Sequence, residues 1–471
     1  MLPMDLKGSY YIMLAALITV VIVLYAFSSS PHATNFISDL TVGSNATMTG
    51  INRMIPNDDE FEVFEFNSSK GKERVNLTPG LMKDLNICKH TALNMNKIVY
   101  KSYEYRQNIL KTLVPPSEQF FADFKNPCWY ANYTFPKEFN FLYCTIRQKL
   151  PLSSDLELLK HVYAETEGEP VKTLQCLPYF YLVGFSKCGT TALTSYIRQH
   201  PEYIHPCQKE PHWWSFYKIF DEKDRDTASL LYYLKCFDDA AQKIKSSPRT
   251  FITGDESSTI IWNRPTYVHH KEDRIACETP LLIESIQPGT KHIVAIRNPP
   301  DQVYSGFYYI CGEKIAMKYL NPQTFHTFVE NSLKYWKSCI QNYSTVECLY
   351  NKYSDLEAPP CESFITFIHP YIMVSIWLQV IPRERILFVK SEELRENTTD
   401  VMRDLYKFLE LSPLTNAQLA KVVSNQHINE LSIKKPPMLP SRRELLQEFF
   451  EPFNLKLAQL LNDDKFLWKD A

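Results

Sequence analysis

The sequence predicts an α/β fold: a central, mainly parallel sheet flanked by helices, carried behind an N-terminal transmembrane anchor. Three observations lead there. From Cys176 onward, short apolar runs alternate with helical patterns, as expected of strands covered on both faces by crossover helices. Residues 179–191, YFYLVGFSKCGTT, read as a strand, a loop and a helix start, the outline of a phosphate-binding loop. Residues 10–27, YYIMLAALITVVIVLYAF, form the one uninterrupted apolar stretch of spanning length, since a bilayer core takes about 17–25 residues.

The anchor sets the compartment. Lys7 precedes the span and no Lys or Arg follows it until Arg53, which places the tail 1–9 in the cytosol and the body in a lumen. The apolar run is longer than a usual signal-peptide core, so an uncleaved anchor is expected. Six N-x-[ST] sequons begin at Asn45, Asn67, Asn76, Asn132, Asn342 and Asn397, all on one side of the span, and are expected glycosylation sites. Twelve cysteines, all beyond the span and none in a CxxC pair, suit disulfides in an oxidising compartment rather than a zinc or redox centre. Cys339, Cys348 and Cys361 are expected to include one local bridge. A formal net charge of -2 over 471 residues argues against bulk attraction to nucleic acid.

Residues 28–80 are polar, with little periodicity, and read as a luminal stem; 81–175 read as a lead-in region packed on the main domain, 176–471. Within the main domain, YFYLVG is a buried strand and TTALTSYIRQH a helix ended by Pro201. TASLLYYLKCFDDAAQKI reads as one amphipathic helix, and TFITGD as a second strand. A helix through LLIESI leads to a third strand, KHIVAIRN, and PDQVYSGFYYI is a helix with Pro near its start, a favoured place. Further helices are expected at about 322–342, 370–380 and 399–410, with a strand at RILFVK.

The loop carries the chemistry. Consecutive N–H groups form an anion nest and the helix N-terminus adds partial positive charge. Gly189 permits close backbone approach, Thr190 and Thr191 offer hydroxyls, and Lys187 offers a mobile cation. A nucleotide-triphosphate loop would place Lys just after the second glycine; here Thr190 stands there. Asp255 in TFITGDE could still serve as a magnesium-binding acid, so a nucleoside-triphosphate kinase stays open at this point. In HIVAIRNPPDQVYSGFYY, Arg297 ends a strand and Ser305 lies in the next helix, a pairing that can clamp a second phosphate through permanent, bidentate charge.

These two motifs in order resemble the 5′-phosphosulfate loop and 3′-phosphate motif of the sulfotransferases, over roughly residues 176–471. Within that superfamily, CLPYFYLVGFSKCGTT, QKEPHWW and LPSRRELLQEFFEPFNLKLAQLL resemble the Golgi carbohydrate branch. The resemblance implies a P-loop-like sulfotransferase fold, with 3′-phosphoadenosine-5′-phosphosulfate (PAPS) as sulfate donor and no metal required. It implies a single-pass type II Golgi membrane enzyme with a luminal catalytic domain. The acceptor would be a sulfated glycosaminoglycan, at the 6-OH of N-acetylgalactosamine 4-sulfate in chondroitin or dermatan sulfate.

Residue by residue, the resemblance implies that Lys187 binds the 5′-phosphate and bridging oxygen, with Ser186, Cys188, Gly189, Thr190 and Thr191 cradling the phosphosulfate. Arg297 and Ser305 would hold the 3′-phosphate, Glu210 would be the general base, and His212 would lie near the acceptor. Heparan enzymes carry a Lys after the second strand; this chain reads Asp255-Glu256-Ser257-Ser258, so Asp255 or Glu256 could assist the acid–base step. No cysteine follows Cys361, so IKKPPMLPSRR replaces the family's cysteine-bounded loop. Lys435 and Arg442, with Lys434 and Arg443, are candidates for cofactor phosphate or sulfated substrate.

Plainer roles compete at several positions. The Lys209–Glu210 pair reads also as a surface pair, Trp213 and Trp214 as core or as a stacking surface for sugar or adenine, and Cys188 as loop filler or disulfide partner. A sulfotransferase acting on another glycan and a non-catalytic glycan-binding protein also remain, as does self-association into a homodimer.

Overall fold

A computed structural model describes residues 62–68, 71–77, 107–133, 171–217, 230–262, 277–311, 320–350, 369–424 and 435–469, apart from single positions within them. The apolar span 10–27 and Asn45 lie outside the described residues. Among the described residues, no helix is long and apolar enough to cross a membrane.

The first strands pair locally. β1 (Glu62–Ser68) and β2 (Gly71–Leu77) form an antiparallel hairpin inside the stretch read as a stem. β3 (Cys128–Tyr133) and β4 (Val171–Cys176) pair antiparallel and are stapled by the Cys128–Cys176 disulfide, with 48 residues of separation. By loop-closure entropy that bridge is worth about 4 kcal/mol. The Cys128→Ser/Cys176→Ser double variant is therefore expected to lose roughly that much in denaturant unfolding, without loss of the downstream sheet.

Cys176 leads directly into the main sheet. Its order is β6–β5–β7–β8, all parallel: β5 is Phe180–Gly184, β6 Gly254–Asp255, β7 Lys291–Ile296 and β8 Ile386–Lys390. β5 is buried along its whole length and β7 from its second residue on, which is why both read as continuous apolar runs. β6 approaches β5 so closely that a Cβ on Gly254 would meet the Phe180 ring at 2.4 Å.

Helices connect the strands: α1 (Thr190–Ile197), α2 (Asp238–Ser246), α3 (Glu278–Ile286), α4 (Pro299–Gly306), α5 (Pro322–Ile340), α6 (Pro370–Leu378), α7 (Ser391–Glu396), α8 (Thr398–Phe408) and α9 (Pro440–Leu461). α5 starts on a capping box in which the Asn321 side chain accepts from the Gln323 and Thr324 amides. α9 packs against α4 and α6, carrying Phe449, Phe450 and Phe453 into the core.

Two expected elements differ. The single helix over 227–244 is interrupted at Cys236 and Phe237, because the Cys236 carbonyl accepts from the Cys207 amide at 2.8 Å instead of continuing the helical ladder. The second strand shrinks to Gly254–Asp255, because Ile252 exchanges backbone hydrogen bonds with Glu202 and Ile204 rather than with β5. The expected local bridge is Cys339–Cys348. Asn132, Asn342 and Asn397 are exposed, and Asn67 and Asn76 lie in β1 and β2.

Candidate active site

Loops at the C-terminal ends of the parallel strands gather the functional side chains, the place where open α/β sheets bind ligands. After β5, Lys187 and Gly189 both adopt left-handed backbone, at φ 67 and 81. The glycine suits that conformation. The loop is braced from three sides. The Phe185 amide donates to Ala295 O at 2.7 Å, Gln302 Nε2 donates to Ser186 O at 2.9 Å, and Ser391 Oγ donates to Cys188 O. α1 then begins with no side-chain cap at Gly189, so its first-turn amides take no partner from that residue. Cys188 is fully buried, and burial pushes its thiol well above the usual range. It fills the loop and is no nucleophile.

Opposite the loop, Arg297 leaves the end of β7 and donates from Nη1 to the Lys187 carbonyl at 3.4 Å. Ser305, one face of α4, receives Lys435 Nζ at 3.3 Å. Lys435 titrates at about 8, lowered first by burial and then by the charges of Lys187 and Arg297. Its segment is held because Tyr304 donates to Pro436 O at 2.6 Å. Thus Lys187, Arg297, Ser305 and Lys435, distant in sequence, form one cationic cluster. Like charges are gathered there against their mutual repulsion, an arrangement that fits a polyanionic ligand. Lys187 Nζ lies 3.9 Å from the centroid of the Tyr309 ring, which is 45% exposed. Arg442 instead faces Glu330 of α5 at 3.6 Å, and Arg443 pairs with Asp301 of α4 at 2.7 Å. Lys434 lies outside the described residues.

The KEPHWW segment supplies the other half. Glu210 and His212 adopt left-handed backbone, at φ 58 and 55. Ser258 Oγ donates to Glu210 Oε1 at 3.0 Å and lies 3.2 Å from Ser186 Oγ, joining the carboxylate to the loop. His212 Nε2 is 3.9 Å from Glu210 Oε2, while its Nδ1 lies 2.9 Å from Thr259 Oγ1. The His212 amide donates to Ser257 Oγ at 2.9 Å, and Ser257 in turn donates from Oγ and N to Asp255 Oδ1 at 2.6 and 2.9 Å.

Asp255 and Glu256 have structural work. Asp255 also accepts from Tyr233 OH at 2.9 Å, and burial raises its carboxyl to about 6. Glu256 accepts from Arg198 Nη2 at 2.8 Å and Tyr203 OH at 2.7 Å, and burial raises its carboxyl as well. Both side chains are fully buried, so Asp255 is spent on supporting the His212 segment and Glu256 on Arg198. Trp213 and Trp214 are core: Trp214 packs edge-on against Tyr181 and donates to Tyr233 OH at 3.2 Å.

Sequence reasoning brought Lys187, Arg297, Ser305, Lys435, Glu210 and His212 forward as site residues. It passed over Ser258, Gln302, Ser391 and Tyr309, and set Lys209 aside as half of a surface pair. The signal for Ser258 was its place just after a strand that ends at the loop; the others are brought in by tertiary packing.

A sulfotransferase-domain family model matches residues 178–444, more than half the chain. The chain is 30% identical over 396 residues to carbohydrate sulfotransferase 15 of Mus musculus, covering 77% of this chain and 68% of that protein. It is 29% identical to carbohydrate sulfotransferase 15 of Homo sapiens, covering 74% and 66% respectively, so it spans about two thirds of the length of these relatives. Among solved structures, a sulfotransferase from Alicyclobacillus acidocaldarius aligns with TM-score 0.39 and 22% identity, over 61% of this chain and 97% of that one. With the family match and the mouse relative together, the chain belongs to the sulfotransferase family, the PAPS-dependent sulfuryl-transfer enzymes.

Proposed function

We propose that this protein transfers sulfate from PAPS to a glycosaminoglycan hydroxyl, at C6 of N-acetylgalactosamine 4-sulfate in chondroitin or dermatan sulfate. The work would be done in the Golgi lumen, behind the anchor at 10–27. The observation that carries the reading is the gathering of Lys187 and Arg297 around Lys435, which reaches Ser305, beside a Glu210 carboxylate tied to the same loop through Ser258. The carbohydrate sulfotransferase 15 relatives support the glycan acceptor.

PAPS supplies the sulfuryl group and a bisphosphate leaving group. Lys187 neutralises charge that grows on the leaving phosphate, a preorganised effect worth most in a partly dry site. Loop amides and the hydroxyls of Ser186, Thr190 and Thr191 hold the 5′-phosphosulfate, and Arg297, Ser305 and Lys435 hold the 3′-phosphate. Glu210 takes the proton from the acceptor hydroxyl as its oxygen attacks. His212, fixed by Thr259, stands beside Glu210 on the acceptor side.

Radiolabelled donors test this. Sulfate from PAPS should appear on chondroitin, and phosphate from γ-labelled ATP should not. The reverse outcome would make the protein a kinase. PAPS binding without transfer to any glycan would make it a binding protein.

Lys435 gives a second test. Its ammonium is lowered to about 8 by burial and by the charges of Lys187 and Arg297, and an arriving phosphate favours the charged form. Binding of adenosine 3′,5′-bisphosphate is therefore expected to take up a proton above about pH 8 and to weaken as pH rises further. Calorimetry at about pH 9 in buffers of different ionisation enthalpy reads that proton. Lys435→Met should abolish the uptake.

A further inference from the structure

Lys209 stands between the two halves of the site. Its Nζ donates to Thr191 Oγ1 in the first turn of α1 at 3.0 Å and lies 3.2 Å from Glu210 Oε1. It also lowers the titration of the buried Glu256, so three groups from three segments face this one ammonium. Neighbouring residues in extended chain point to opposite sides. Here Glu210 has left-handed backbone at φ 58, which brings its carboxylate round to the side of Lys209. Such backbone is uncommon for Glu and concentrates at functional sites. A solvated surface pair would need none of it.

We infer that Lys209 couples the two reactants of the transfer: one ammonium serves the Glu210 carboxylate on one side and the donor's phosphosulfate at Thr191 on the other. This rests on the reading of the site given above, in which Thr191 cradles the phosphosulfate and Glu210 is the base. Paired with Lys209 at 3.2 Å, the Glu210 carboxylate is turned toward that ammonium and away from an acceptor hydroxyl. Negative charge seated at Thr191 draws the ammonium toward it, and Glu210 then turns to the acceptor hydroxyl. The base is released once the donor is in place, so deprotonation of the acceptor is tied to donor binding. Among the described contacts, Glu210 is also faced by His212 and the Ser258 hydroxyl, and Glu256 by Arg198. None of them also reaches Thr191 among the described hydrogen bonds. Lys209 is thus a positioning and charge-coupling residue, distinct from the phosphate-binding Lys187.

The test is Lys209→Met with two readouts. Calorimetric affinity for adenosine 3′,5′-bisphosphate should fall about tenfold, the loss of one charge-assisted contact. The acid limb of kcat/KM for PAPS should move to higher pH, because the ammonium no longer faces the carboxylate, while the acid limb of kcat moves less. Lys209→Arg should keep both near wild type. Unchanged affinity, an unmoved acid limb, or equal shifts in kcat and kcat/KM each overturn the inference. Lys209→Gln, judged by the same readouts, covers a Met variant that fails to fold. A wild-type protein that binds the bisphosphate yet transfers no sulfate overturns the proposed function itself. A wild type that transfers, with Lys209→Met indistinguishable from it, overturns only the coupling.

Discussion

Lys187→Ala is expected to lower kcat for sulfate transfer by about 10²–10³-fold, the scale of removing one preorganised charge-stabilising donor. Lys187 is half-buried on a loop whose shape is set by other groups: the Phe185 amide, Gln302 and Ser391 hold the backbone from outside. The substitution should therefore leave the thermal transition unchanged and act on chemistry alone. Removing Lys187 also relieves repulsion on Lys435, so the titration of Lys435 should rise toward its ordinary range. Bisphosphate affinity should accordingly fall less than kcat does. Lys187→Arg keeps the charge but not its shape, since a planar guanidinium cannot occupy the place of a compact ammonium. It should retain donor binding and recover only part of the turnover. Single-turnover rates with calorimetry on the same preparations separate the two effects.

Glu210→Gln is expected to reduce kcat by about 10²–10⁴-fold, the range for loss of a general base. The amide keeps the size of the side chain and can still accept from Ser258, the hydroxyl that links it to Ser186. Bisphosphate affinity should change little, in contrast to Lys187→Ala. The acid limb of the pH–rate profile should vanish with the base. Asp255→Asn offers a useful comparison. It leaves Glu210 in place but weakens the chain from Asp255 through Ser257 to the His212 amide. Its loss should show in stability and in kcat together, with the acid limb retained.

Much of the fold around this site is legible in the sequence. β5, β7 and β8 fall within the apolar runs read as strands, because strands buried on both faces show their burial as uninterrupted hydrophobicity. Lys187 and Arg297 could be paired because each stands where its strand ends, and parallel strands end on one edge. What escaped was decided by contacts between distant residues. The break at Cys236 depends on an amide from Cys207, and the shortness of β6 depends on backbone bonds between Ile252 and the 202–204 segment. Propensity carries no trace of either. Lys209 looked like a solvated pair because nothing in the letters K and E discloses the left-handed turn at Glu210. For the two tryptophans the core reading holds, because Tyr181 and Tyr233 pack against them.

Product analysis decides whether this protein transfers sulfate, and to which hydroxyl. Full-length protein is incubated with sulfur-labelled PAPS and chondroitin of defined sulfation, the chains are digested, and the labelled disaccharides are separated. Label is expected at C6 of 4-sulfated N-acetylgalactosamine, with none from Lys187→Ala or Glu210→Gln above about one percent of wild type. Label that persists in both variants, or PAPS bound with no label on any glycan, would contradict it.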